Sequence, residues 1–148
     1  MGHLTIAVKS RLGMVVNRAS TDHEKLVYVI TRDKPIRYKK GSSHIAYIGA
    51  TRSGAERITT SLATKSDTLL AQWGVRHLVI RVVTCRPLQR VKTWKKLETA
   101  LLLCFRDRHG QWPLLNKRVK QVPSDEFEYF RKPRVKTALK ELEFMKAA

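Results

Sequence analysis

One glutamate lies where a helix should be apolar. Between Thr93 and Arg106, Trp94, Leu97, Leu101, Cys104 and Phe105 form a stripe when residues are spaced about 100° apart. Glu98 falls inside that arc, about 40° from Trp94 and between Leu102 and Phe105. Lys95, Lys96, Thr99 and Arg106 occupy the far side. A carboxylate turned toward a core needs a cation or hydrogen-bond donors. An ion pair with one of the many arginines meets that need. So does a divalent cation at a cleft, because Mg²⁺ takes one or two protein carboxylates and completes its shell with water and phosphate oxygens.

The charge balance says what shares the cleft. The 148 residues carry 30 Lys+Arg against 12 Asp+Glu, a formal net charge of +18. No acid lies between Asp67 and Glu98, a window holding Arg76, Arg81, Arg86, Arg90, Lys92, Lys95 and Lys96. Such a surplus repels itself unless a polyanion accompanies it, and phosphate contacts with counterion release reward dense Lys/Arg. Nucleic acid is the expected partner. No apolar run is long enough for a membrane span, and no basic amphipathic helix with an aromatic-rich face marks a membrane surface. Cys85 and Cys104 make neither a disulfide framework nor a four-ligand zinc site, and suit core positions in an intracellular, reducing compartment.

The elements follow from patterning. Residues 1–25 read as a basic N-terminal arm, with Lys9, Arg11 and Arg18 beside an extended Leu4–Val8 stretch. Leu26–Thr31 and His44–Gly49 read as strands of a hairpin, ended at Asp33–Pro35 and joined by a long basic loop with Arg37, Lys39 and Lys40 at its tip. Ser53 and Glu56 have capping-box spacing at the start of a helix; Asp67 is placed to cap a second short helix that Gly74 stops. Arg76–Thr84 reads as a third strand, Thr93–Arg106 as a helix closed by Gly110 and Pro113, and Val135, Leu139 and Leu142 as a C-terminal amphipathic helix. The expected class is α+β: an antiparallel sheet of about three strands flanked by helices, in a single domain with a core over 26–117 and a helical extension over 118–148.

Tyr47-Ile48-Gly49, followed on the next helix by Arg57, resembles the signature of the GIY-YIG nucleases. Leu26-Val27-Tyr28 stands where that family has Gly-Ile-Tyr, Glu98 matches its metal-binding glutamate, and Gly110–Asn116 is similar to its closing Gly/Pro/Asn segment. Leu26 replaces the glycine, the Tyr28–Tyr47 interval is longer than usual, and Ser61 stands where members often have Tyr or His. The resemblance implies a DNA endonuclease using Mg²⁺ (or Mn²⁺) held by Glu98. Arg57 would grip the scissile phosphate, Tyr28 and Tyr47 would share the general-base role, and Asn116 would orient a loop or phosphate. Arg37, Lys39, Lys40, Arg76, Arg90 and Lys95 would contact duplex DNA; a monomer with one site would nick, and a double-strand break would need a homodimer or sequential nicks. Two other readings stand beside it: a basic nucleic-acid-binding protein without chemistry, which has no need of Glu98, Arg57 or the two tyrosines, and a nuclease-derived fold that has lost activity, which Ser61 allows. Of the five histidines only His44, entering the second strand, lies near the proposed cleft; singly, each tyrosine and arginine also suits a core or surface position.

Overall fold

An apolar run without polar alternation belongs at the centre of a sheet, covered on both faces. Leu26–Ile30 is such a run. The computed structural model describes Thr5, Ala7 and residues 24–72, 74–117 and 125–144. In it, β1 (Leu26–Arg37) lies between β2 (Ser42–Thr51) and β3 (Leu78–Val83) in an antiparallel sheet of order β2-β1-β3. Leu26, Val27, Tyr28, Val29 and Ile30 are all buried. Helices α1 (Gly54–Leu70), α2 (Thr93–His109), α3 (Glu126–Tyr129) and α4 (Lys132–Phe144) complete an α+β fold among the described residues. The expected N-terminal arm, residues 1–25, lies almost wholly outside them.

Helix α2 rests on β1 and β2 through Leu97, Leu101 and Phe105, each buried, and α4 closes over α2 with Val135, Leu139 and Leu142. Each such aliphatic side chain contributes about 1.5–3 kcal/mol on burial. Gly110, left-handed at φ 74°, ends α2 as expected; its N–H bonds the Arg106 carbonyl at 2.7 Å.

Three local expectations are overturned. Pro35 does not end β1. Thr31 faces Ile45 and Ile36 faces Ser43, so residues 32–35 have no partner on β2, and a proline without an N–H forfeits no β2 ladder bond there. The connection is consequently short, a turn over Tyr38–Gly41 closed by a 3.0 Å bond from the Tyr38 N–H to the Gly41 carbonyl. The extra residues between Tyr28 and Tyr47 lengthen the strands, and the expected long basic loop is absent.

The Ser53–Glu56 capping box does not form either. Ser53 makes no side-chain cap bond, at φ −110° and ψ 13°, outside the extended conformation a cap requires. The Thr51 hydroxyl accepts the Ser53 N–H (2.9 Å), and the Glu24 carbonyl accepts that of Gly54 (2.9 Å). Nor does a second helix begin at Asp67. Nothing between Ser61 and Ser66 breaks α1, and Ile58, Ser61 and Leu69 keep one face buried along its length.

Candidate active site

The register of β1 and β2 sets the two tyrosines together. Tyr28 pairs with Gly49, while Ile30 pairs with Tyr47, so Tyr28 and Tyr47 are diagonal neighbours on one face. Their rings lie 5.7 Å apart. Tyr28 spreads over the backbone of Gly49: a methyl group there would stand 2.6 Å from Tyr47 Cε1 and 2.8 Å from Tyr28 Cζ. Just beyond Tyr47 the register slips, leaving Ala46 as an extra residue, a bulge of the kind that re-aims side chains. Tyr28 is fully buried and Tyr47 half-buried, so Tyr47 is the hydroxyl nearer solvent.

Burial pushes the Tyr47 hydroxyl above the usual tyrosine range. Tyr28, through its charge and a hydrogen bond, and Glu98 push it the same way; only Arg57 opposes them. Without another cation Tyr47 therefore holds its proton, and its first capacity is to donate a hydrogen bond.

The outer edge of β2 is closed without another strand. Asn116 pairs with Ile48 as a strand residue would, accepting its N–H through Oδ1 (3.0 Å) and donating Nδ2–H to its carbonyl (2.8 Å). The Leu115 N–H bonds Ala46 (3.0 Å), and the Glu98 carboxylate accepts the N–H of Ala50. An exposed edge is thereby covered, and the segment carrying Tyr47 and Gly49 is pinned on both sides. Asn116 uses both ends of its amide on Ile48, so its first role is to position β2; one Nδ2–H remains beyond that clamp. Asn116→Asp, which turns the donor into a second acceptor facing the Ile48 carbonyl, is expected to cost about 1–3 kcal/mol. Chemical denaturation checks this; an unchanged midpoint and slope would show that the clamp is dispensable.

Glu98 is half-buried, as the helical wheel indicated, and burial pushes its carboxyl above the usual glutamate range against the pull of Lys95 and the Ala50 N–H. Neither Glu98 nor Arg57 forms an ion pair with any described residue. The arginine partner considered for the buried carboxylate is thus absent among them. Beside Ala50 opens a cleft of about 500 Å³ lined by Lys25, Arg52, Arg57, Lys92, Lys95 and Trp94. The Lys25 ammonium lies 5.0 Å from the Trp94 ring centre. Among the described residues no three His, Cys, Asp or Glu side chains gather, so a divalent cation would have Glu98 as its carboxylate and complete its shell with water and substrate oxygens. A half-buried carboxylate without a counter-ion, beside a cleft wide enough for a phosphate, suits that arrangement.

The structure brings Tyr28, Tyr47, Arg57, Glu98 and Asn116 together at one end of the sheet. Lys95 lines the cleft, and Arg90 lies in a tight turn just before α2, in the left-handed region at φ 62°. The remaining basic residues lie elsewhere. Lys39 and Lys40 occupy the hairpin turn, beyond Ser42, which is itself five residue steps, about 17 Å of extended chain, from Tyr47. Arg37 ends β1 there, and Arg76, its N–H on the Asp33 carboxylate, precedes β3 at the same end. His44 bonds the Arg32 carbonyl (2.8 Å) away from the cleft. The histidine with an interior role is His109, buried between the Lys40 carbonyl (3.0 Å) and Glu143 (2.5 Å), where it ties turn, α2 and α4 together. Sequence reasoning placed Lys92 in the acid-free basic window but passed over Lys25, Arg52 and Lys65; of these only Lys65 carried a signal, lying two helical turns from Arg57. Compared with models of known protein families, with curated proteins and with solved structures, the chain matches none.

Proposed function

We propose that this protein is a divalent-metal-dependent DNA endonuclease. The observation that carries the reading is that Arg57 and Glu98, neither paired with a described residue, both act electrostatically on Tyr47, the half-exposed member of a tyrosine pair seated on Gly49. Opposite charges left unneutralised around one hydroxyl suit a phosphodiester, which brings negative oxygens to the arginine. Arg57 grips the scissile phosphate with its planar fork. Tyr47 orients the attacking water or a phosphate oxygen, and Tyr28, buried behind it, holds Tyr47 in place. Glu98 would hold Mg²⁺ or Mn²⁺, which when bound supplies positive charge against the leaving 3′-oxygen. The cleft cations fix the strand on either side of the reacting group.

The test is incubation with supercoiled plasmid, with and without Mg²⁺, resolving nicked from linear product. Nicking only with the metal supports the reading; binding without nicking under both conditions favours a binding protein. Arg57→Lys is expected to lower single-turnover nicking by about a hundredfold, since an ammonium cannot reproduce the fork. Wild-type rates in that variant would remove Arg57 from the reaction.

A further inference from the structure

Arg57, Ser61 and Lys65 follow one another at i, i+4 and i+8 and so share one stripe of α1. The Lys65 ammonium sits 4.4 Å from the centre of the Tyr47 ring, half-buried. Lys117 directly follows Asn116, whose clamp on Ile48 brings that segment alongside β2. Between the two cations of the stripe, the Ser61 hydroxyl is buried at 2% exposure and has no hydrogen-bond partner among the described residues. Burial holds the Lys65 ammonium below the usual lysine range, and the charges of Arg57 and Lys117 push it further the same way. Three like charges have thus been drawn together beside a free hydroxyl, with no ion pair from a described acid to offset them. An arrangement that strains the free protein is relieved by an anion.

We propose that Lys65 and Lys117, together with Arg57, form a subsite that holds a phosphate of the nucleic-acid strand above the Tyr47 ring. This rests on the reading of Arg57 as a phosphate ligand and extends it to the neighbouring phosphate. Lys65 then acts as a positioning residue: it fixes the strand and keeps Tyr47 in its rotamer. Ser61 donates its free hydroxyl toward the bound anion or a water beside it.

The full chain is titrated with a labelled duplex oligonucleotide in EDTA over a potassium chloride series, as wild type, Lys65→Met and Lys117→Met. Methionine keeps the apolar cover on Tyr47 and removes the charge. Each variant is expected to lower the slope of log affinity against log salt by about one unit. The free Lys65→Met protein should melt no lower than wild type, because a repulsion has gone. A melting-temperature rise in inorganic phosphate over chloride at equal ionic strength, lost in Lys65→Met, would also support the subsite and extend it to free phosphate. Unchanged slopes in both variants overturn the proposal. So does a lower melting temperature with an unchanged slope in Lys65→Met, which would make Lys65 a brace for Tyr47. The two readings separate: a wild type that shows the slope effect but nicks no plasmid keeps the subsite and removes the nuclease, and nicking with unchanged slopes does the reverse.

Discussion

Glu98→Gln is expected to abolish metal-dependent nicking, by roughly a hundredfold or more, while leaving DNA affinity unchanged or slightly higher. The amide cannot bind a divalent cation as a carboxylate does, yet its oxygen still accepts the Ala50 N–H, so the edge of β2 stays closed. Removing a negative charge beside the cleft cations also removes one repulsion with phosphate. The stability of the metal-free protein moves the other way from activity. Burial raises the Glu98 pKa in the folded state. Its ionisation therefore destabilises the fold as pH rises from the usual glutamate value through the raised one. Glutamine never ionises, so the variant should melt higher than wild type at neutral pH in EDTA. Wild-type rates in the folded variant would remove Glu98 from the metal site. A lower melting point in EDTA would mean that its charge is neutralised by some neighbour.

Much of this was legible because the chain repeats its instructions at several levels. Leu26–Thr31 was readable as a hairpin strand from its β-branched and aromatic run, and the stripe through Leu97, Leu101 and Phe105 as a helix with Glu98 set in the apolar arc, although the central place of β1 in the sheet was not. What failed was local grammar overridden by tertiary contacts. Pro35 was readable as a strand end because nothing local shows that β1 bulges over residues 32–35 and pairs with β2 again at Ile36 and Arg37. Ser53 and Glu56 have capping spacing, but the Thr51 hydroxyl at the end of β2 already takes the Ser53 N–H that Glu56 would accept, and Glu24, at the far end of the hairpin in sequence, holds the Gly54 N–H. Asn116 reads as orienting a loop or a phosphate; that its amide clamps Ile48 was not legible, because the outward edge of β2 exists only once the sheet has formed. The basic residues were the least legible. Their types predict a polyanion, but only the fold separates Lys25, Arg52 and Lys92 at the cleft from Lys39, Lys40 and Arg76 at the other end.

Gly49→Ala should damage both fold and chemistry through one methyl group. The backbone there is not left-handed, so the cost arises from space. The new carbon would lie 2.6 Å from Tyr47 Cε1, 2.8 Å from Tyr28 Cζ and 2.9 Å from the Tyr28 hydroxyl. Tyr28 is fully buried among β1 neighbours and has nowhere to go. Tyr47, half-exposed, must swing outward, leaving its hydrogen bond to Tyr28 and its place under Lys65. Overpacking of this kind costs about 1–3 kcal/mol. A misplaced hydroxyl should lower single-turnover nicking by about a hundredfold. DNA affinity should stay within about twofold, because the cleft cations that supply it are untouched. Gly41→Ala is the informative contrast. Gly41 sits at φ 72° in the hairpin turn with nothing within 4 Å of the added carbon, so that variant bears only backbone strain, about 1 kcal/mol. It should lose stability while nicking at the wild-type rate. If Gly49→Ala behaved like Gly41→Ala, losing stability but not turnover, the placement of Tyr47 would not matter to the reaction. The tyrosine pair would then be a core contact, and the chemistry would have to be assigned to Arg57 and Glu98 without it.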